Sequence, residues 1–317
     1  MNFRDLEYLV AVADLGHFGQ AAAHCHVSQS ALSLQLQKLE AELGVQLIER
    51  TSRRVVVAPA GHSLVERARG ILRARQELLD DAALEGGQMP ATIALGLIPT
   101  IAPYQIGPML RAMRQTYPGT TLRIIEDITQ NLVQATARGE LDAAIIATDT
   151  DDSLIAETPL GEDELLLAVA RAHPLARKAQ VEAKELQHET MLLLKDGHCL
   201  NDQAVNFCSA NRVGAASVSI AASIESLKSM IGAGMGVTLI PRMAVDGLPP
   251  DKCLVFLPLK PSPSRTIRVI TRKTSRLGPR LADALKMAMA KESAGCVDET
   301  VGSRKLPRKV RPKTPAS

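Results

Sequence analysis

Tryptophan is absent from this 317-residue chain, and aromatic residues make up only 2% of it. Its core must therefore be built from Leu, Ile, Val, Ala and Met. No apolar run reaches the roughly 18 residues that span a bilayer. Met1 to Glu7 lacks the charged-then-apolar layout of a secretory signal. These absences predict a cytoplasmic chain with no membrane partner. No CxxC or HExxH pattern is present, so no metal site and no cofactor is expected. The five cysteines, an odd number, do not suit a secreted disulfide framework. In such a compartment a regulated disulfide is catalytic or redox-sensing. What is present is ordinary in amount. Hydrophobic content of 46% and charged content of 22% suit globular domains, and the length suits two or three of them.

The net charge is only +3, but it is unevenly spread. Arg304, Lys305, Arg308, Lys309, Arg311 and Lys313 crowd the last residues with no acid among them. Subtracting those six from +3 leaves about −3 for the rest. The Pro-rich stretch 296–317 reads as a basic, disordered tail. A non-specific DNA contact is the other reading of it.

The sharpest local feature is Lys195-Asp196-Gly197-His198-Cys199-Leu200-Asn201-Asp202, followed by Cys208. A thiol reacts as its thiolate, and positive charge or a helix N-terminus favours that anion. Lys195 and His198 flank Cys199, and a helix is predicted over Asn201–Asn211, so the thiolate fraction should rise. Cys208 offers a second sulfur to trap a sulfenic acid. Nine helical residues hold two sulfurs roughly 13 Å apart on opposite faces, whereas a disulfide needs Cα atoms within about 7 Å. Closing this bond must unwind the helix. Two unrelated buried cysteines are the plainer alternative. Cys25 and Cys253 read as buried structural cysteines, and Cys296 falls beyond the last helix.

Near the N-terminus, Leu6, Leu9, Val10 and Val12 show helical spacing. A break at Gly16–Gly19 precedes a short helix, Gln20–Cys25, and a longer one, Val27–Glu40. This is the helix-turn-helix arrangement. Ser28, Gln29, Ser30, Ser33 and Gln35 are candidates to read base edges, and Lys38 to hold phosphate. Leu47–Arg50 and Arg53–Val57 predict a small wing, with Arg50, Arg53 and Arg54 placed for phosphates. Taken singly, each of these is also an ordinary exposed face. Gly61 to about Glu85 reads as one long helix.

After a hinge-like Gly86-Gly87, strands and helices alternate. Strands are predicted at Thr92–Leu97, Thr121–Ile125, Ala143–Ala147, Leu165–Ala170 and Met191–Leu194. Further strands follow at Ser217–Ala221, Val237–Ile240, Leu254–Leu257 and Ile267–Thr271. Helices separate most of them, and the last is Gly278–Met289. This pattern argues for α/β sheets covered by helices. Thr100, Thr129 and Cys199 each follow a strand end, where α/β folds bind ligands. Each threonine alone reads as a helix cap.

The first 60 residues resemble the LysR-type transcriptional regulators. The carrying residues are Ala21-Ala22-Ala23, Val27-Ser28-Gln29-Ser30-Ala31-Leu32-Ser33, Leu39-Glu40, Leu43-Gly44, Leu47, Arg50, Arg53 and Pro59-Ala60-Gly61. Ile48 stands where the family has Phe, and Val57-Ala58-Pro59 departs from its Leu-Thr. The Cys199–Cys208 segment resembles the hydrogen-peroxide-sensing members.

The resemblance implies an α/β chain of definite layout. Residues 1–60 form a winged helix-turn-helix domain, and residues 61–87 a dimerising linker helix. Residues 90–295 form a two-subdomain, periplasmic-binding-protein-like regulatory domain. Its first subdomain takes 90–161 and 265–295, and its second 162–264. Cys199 is then the peroxidatic and Cys208 the resolving cysteine. Thr100, Thr129, His198 and Arg265 line the peroxide pocket, and Asp202 supports the loop. The implied partners are operator DNA, hydrogen peroxide, RNA polymerase, a glutaredoxin or thioredoxin as reductant, and further copies in a homotetramer. The chain is then no enzyme, and is nucleoid-associated when bound to DNA. Family members can repress when reduced and activate when oxidised. Two other readings stand beside it. One is a regulator whose cleft takes a small organic effector. The other is a thiol enzyme using His198 and Cys199, which adjacency disfavours because catalytic pairs come from separate segments.

Overall fold

The computed structural model describes residues 1–50, 55–211, 213, 216–247 and 251–293. It opens with α1 (Phe3–Leu15), α2 (Phe18–His24) and α3 (Gln29–Leu43), then a hairpin of β1 (Ile48–Arg50) and β2 (Val55–Val57). Asn2 and Asp5 cap α1 reciprocally, and Gly16 ends it in the left-handed region at φ 58°. α2 begins at Phe18 rather than at the expected Gln20. The His17 ring nitrogen Nδ1 accepts from the Gly19 and Gln20 amides and so caps the helix early. α3 begins at Gln29, where the Ser28 hydroxyl accepts from the Ala31 amide. The fully buried residues here are aliphatic, including Leu9, Val12, Leu32, Leu36, Leu39 and Leu47.

A single helix, α4 (Gly61–Glu85), leaves this unit. A Cβ at Gly61 would strike the Leu47 carbonyl oxygen, so glycine lets the helix start against the hairpin. Val65 and Ala68 are buried in the N-terminal core, and Leu84 in the core that follows. Between them Ile71, Leu78 and Leu79 stay exposed. Glu77 pairs with Arg272 and Glu85 with Arg276, each at 2.5 Å, tying the helix to the C-terminal unit. Among the described residues no helix is long and apolar enough to cross a membrane.

The C-terminal unit starts with β3 (Thr92–Leu97), α5 (Ala102–Thr116), β4 (Thr121–Glu126), α6 (Thr129–Ala137) and β5 (Ala143–Ile146). It continues through β6 (Ile155–Ala170), β7 (Val181–Glu182), β8 (Thr190–Leu194), α7 (Cys199–Ala210), β9 (Ala216–Ala221) and α8 (Ile224–Gly232). It closes with β10 (Thr238–Pro241), β11 (Leu254–Leu257), β12 (Leu259–Lys260), β13 (Ser264–Arg272) and α9 (Leu277–Ser293). The main sheet runs β10-β6-β13-β5-β3-β4, with β11 also on β6. β8 and β9 pair in parallel, and a bridge joins Met191 to Val237.

Two hydrophobic cores flank this sheet. One gathers β3, β5 and α9 around Leu95, Ile145 and Leu285. The other gathers β8, β10 and α8 around Met191, Leu239 and Leu227. β6 serves both, because its first half pairs with β13 and its second with β10 and β11. The expected strand began only at Leu165. Residues 155–164 carry little apolar alternation, and the β13 ladder holds them instead. Glu162 there accepts from Thr266 Oγ1 at 2.7 Å and Ser264 Oγ at 3.2 Å.

Candidate functional site

Three strand ends converge on one recess. After β3 come Ile98-Pro99-Thr100, after β4 Asp127-Ile128-Thr129, and after β8 the turn Lys195–His198 that leads into α7. Ile98, Pro99, Thr100, Ile128, Thr129, Gly197, His198 and Cys199 line about 160 Å³ of space. Gly197 takes φ 94°, a left-handed turn that suits glycine. Cys199 is buried and is the first residue of α7, which therefore starts earlier than the expected Asn201.

The helices that begin at this recess lack side-chain caps. The capping positions of α5, α6 and α7 are Ile101, Ile128 and His198, and none makes a side-chain cap bond. Neither Thr100 nor Thr129 is thus the helix cap that each alone suggests. Amide ends left open in this way favour an anion in the recess.

Arg265 supplies the cation. Its guanidinium is fully buried, donating from Nη1 to Thr100 Oγ1 at 2.9 Å and from Nη2 to the Thr100 carbonyl at 3.2 Å. Nε donates to Asp163 Oδ2 at 3.0 Å. Asp163 lies opposite Arg265 in the β6–β13 ladder, and its Oδ1 accepts from the Met243 amide at 3.1 Å. Asp163 was not foreseen. It sits in Gly161-Glu162-Asp163-Glu164, an acidic run that reads as a solvated face, and only the sheet register turns it inward.

Burial pushes the Cys199 thiol above its ordinary range. Arg265 pulls it back, followed by the hydroxyls of Thr129 and Thr100, while Asp202 adds to the upward push. The cation that leads in opposing burial at Cys199 is thus Arg265, where Lys195 and His198 were the ones expected from the sequence. A distant strand provides the charge. The Thr129 hydroxyl is buried with no satisfied hydrogen bond of its own, and it stands near enough to the sulfur to favour the anion.

Cys208 shares α7 but belongs to the other core. Cys199 packs with the β3–β5 core, Cys208 with the β8–β10 core beside Leu200, Ala204 and Phe207. Burial raises the Cys208 thiol too. Gln203, on the intervening turn, donates from Nε2 to the Ala147 carbonyl at 2.7 Å and pins the helix to the end of β5. Asp202 is exposed and does not brace the loop as expected. Asn201 does so, donating to Asp196 Oδ1 at 3.1 Å. Two further expectations are corrected. Cys25 is only half-buried, at the edge of the N-terminal core, and Cys253 is exposed, so neither is fully buried as expected. Cys296 and the basic tail lie outside the described residues.

On α3, Ser28, Gln29, Ser30 and Lys38 are exposed and Ser33 is half-buried. Gln35 is corrected: its amide donates to Asp5 Oδ1 at 2.7 Å, so it locks α3 to α1 instead of facing outward. The backbone of Arg50 lies in β1, while Arg53 and Arg54 fall outside the described residues.

A helix-turn-helix unit joined by one long helix to a two-core α/β unit is the layout of a DNA-binding regulator with an attached sensing domain. The chain belongs to the LysR family: residues 3–62 match the bacterial regulatory helix-turn-helix protein model of that family, and residues 86–292 its substrate binding domain. It is 42% identical over 296 residues to the DNA-binding transcriptional dual regulator OxyR of Escherichia coli K12, covering 91% of this chain and 96% of that one. Full-length OxyR of Pseudomonas aeruginosa has a similar structure, with TM-score 0.73, 32% identity and coverage of 91% and 94% of the two chains. A hydrogen-peroxide-bound OxyR mutant of Corynebacterium glutamicum matches with TM-score 0.63, 32% identity and coverage of 92% and 93%. The homologues are transcription regulators, not enzymes.

Proposed function

We propose that this chain regulates peroxide-stress genes and is switched by a reversible Cys199–Cys208 disulfide. One observation carries the reading. Cys199 is buried at the start of α7 beside Arg265 and two threonine hydroxyls, with Cys208 buried on the far side of the same helix. The relatives support it, since several bear the name hydrogen peroxide-inducible genes activator. The recess leaves about 0 Å³ for the centre of a water-sized sphere, whereas an ordinary organic-ligand site offers roughly 300–1,000 Å³.

In the chemistry proposed, the Cys199 thiolate attacks one peroxide oxygen. An S–O bond forms, the O–O bond breaks, and hydroxide leaves. Thr100, Thr129 and His198 line the space where that hydroxide departs, and donors placed there lower the barrier. The Cys208 thiol then attacks the sulfenic sulfur, forming S–S and releasing water. Residues 61–87 pair two copies, two such pairs make a tetramer, and residues 1–60 meet DNA. Refolding of α7 at a subunit interface changes the set of DNA contacts and the contact with RNA polymerase. A glutaredoxin or thioredoxin resets the switch.

The test is intact-protein and peptide mass after one equivalent of hydrogen peroxide. Loss of both thiol hydrogens, mapped to a Cys199–Cys208 peptide and reversed by reductant, is the expected result. Two thiols still free in excess peroxide would sink the proposal.

Two smaller effects follow. Thr129→Val should slow Cys199 oxidation by about tenfold to a hundredfold, because a donor near the departing oxygen is lost. Its thermal midpoint should hold, since the buried hydroxyl makes no bond to lose. Stopped-flow oxidation and a melting curve on one preparation check both. Lys38→Ala should weaken DNA binding evenly across sequences and reduce the slope of log K against log salt by about one. A binding series at several salt concentrations reads that slope.

A further inference from the structure

The cation beside Cys199 is not alone. Arg265 and Asp163 are cross-strand partners whose side chains are 0% and 5% exposed and whose charged atoms lie 3.0 Å apart. So complete a pairing is an odd way to hold a cation meant to activate a thiol. A bare guanidinium at the same place would stabilise the thiolate more, because an adjacent carboxylate offsets much of its field. The geometry explains what the carboxylate does. Arg265 uses Nη1 and Nη2 on Thr100 and Nε on Asp163, so its plane is fixed from both sides. Asp163 is itself fixed by the Met243 amide.

We propose that Asp163 sets the threshold of the sensor: by offsetting the charge of Arg265 beside Thr100 and the Cys199 recess, it fixes how much peroxide is needed to oxidise Cys199. This rests on the peroxide-sensing reading. Without Asp163 the cysteine is over-sensitive, and without Arg265 it is blunt. The pair holds the threshold between these limits.

The charged groups around the two centres are few. At the sulfur they are Arg265 from β13 and Asp202 from α7, with His198 at the start of that helix, while the α5 and α6 sides offer the Thr100 and Thr129 hydroxyls. At Asp163 they are Arg265 and, from the segment after β10, Asp246 and Arg242. Tyr104 of α5 also feels Arg265 and bonds to Glu225 at 3.4 Å. Burial holds Asp163 above its ordinary carboxylate range, and Arg265 and the Met243 amide oppose that push.

The experiment is the pH profile of Cys199 oxidation by hydrogen peroxide in the full-length protein. The rate rises with pH as the thiol ionises, and its midpoint reports the thiol. Asp163→Asn removes the charge and keeps one acceptor. Its midpoint should fall by about half a unit to one unit, and the rate at neutral pH should rise about threefold to tenfold. Should that variant misfold, Asp163→Ser, which also removes the charge and keeps an acceptor, reads the same shift. A structural brace alone would shift stability and leave the midpoint in place. An unchanged or raised midpoint in Asp163→Asn, or in Asp163→Ser where that variant is used, overturns the proposal. Failure of the unmodified protein to oxidise at Cys199 would instead overturn the sensing reading itself.

Discussion

Arg265→Met should slow oxidation of Cys199 by about a hundredfold at neutral pH and cost the C-terminal unit about 3–5 kcal/mol. The two losses have separate causes. The kinetic one arises because Arg265 is the main group offsetting the burial that holds Cys199 in its thiol form. Remove it and the ionised fraction falls, along with the fixed orientation of the Thr100 hydroxyl. The stability loss arises because Asp163 is left buried without its cation. A carboxylate in that position takes up a proton instead. Its pKa is then raised above the unfolded value, so folding is penalised above the unfolded carboxylate pKa and the penalty grows until the folded group ionises. Adding Asp163→Leu should recover most of the stability, since breaking a buried pair is worse than replacing it whole. It should not restore the rate. Urea unfolding and stopped-flow oxidation of the single and double variants separate the two. Parallel recovery of both quantities would show that the rate loss was only unfolding in disguise.

In the oxidised protein the amides between Leu200 and Ala210 should exchange with deuterium about 10³-fold faster or more than in the reduced protein. The reason is length. α7 runs unbroken from Cys199 to Ala210, so its two cysteines stand roughly 13 Å apart along the axis, while the bond demands Cα atoms within about 7 Å. No rotamer change closes that gap, and several helical hydrogen bonds must open. Opening also withdraws Leu200, Ala204 and Phe207 from their core and breaks the bond from Gln203 to Ala147. Peroxide-treated Cys208→Ser, which stops at the sulfenic acid, should keep slow exchange. Equal protection in reduced and oxidised protein would mean that the switch does not pass through this helix.

Much of this was readable in the residues, for identifiable reasons. Strand β3 has the expected bounds because apolar continuity marks it. The Thr100, Thr129 and Cys199 cluster was legible because each follows a strand end. Three features were not. β6 is longer than its pattern because the first half is held by ladder partners rather than by an apolar face. Gln35 looked like its neighbours Ser33 and Lys38, and only the packing of α1 against α3 gives it Asp5. Asp163 was hidden among acids, because pairing register is a long-range property that no local window contains. The charge at Cys199 was misattributed for the same reason. Lys195 and His198 are close along the chain, and Arg265 is close in space.

In the proposed switch, seating Cys199 and Cys208 in different cores gives oxidation a thermodynamic counterweight. The free energy of the disulfide must first cover the packing that unwinding gives up, so the midpoint potential of the couple belongs to the whole helix and not to its sulfurs. Each 1.4 kcal/mol of packing lost from the reduced form moves that potential about 30 mV more negative. Leu200, Ala204 and Phe207 touch no oxidant, yet in that proposed switch their volumes would set how long the oxidised form lasts under a given cellular poise.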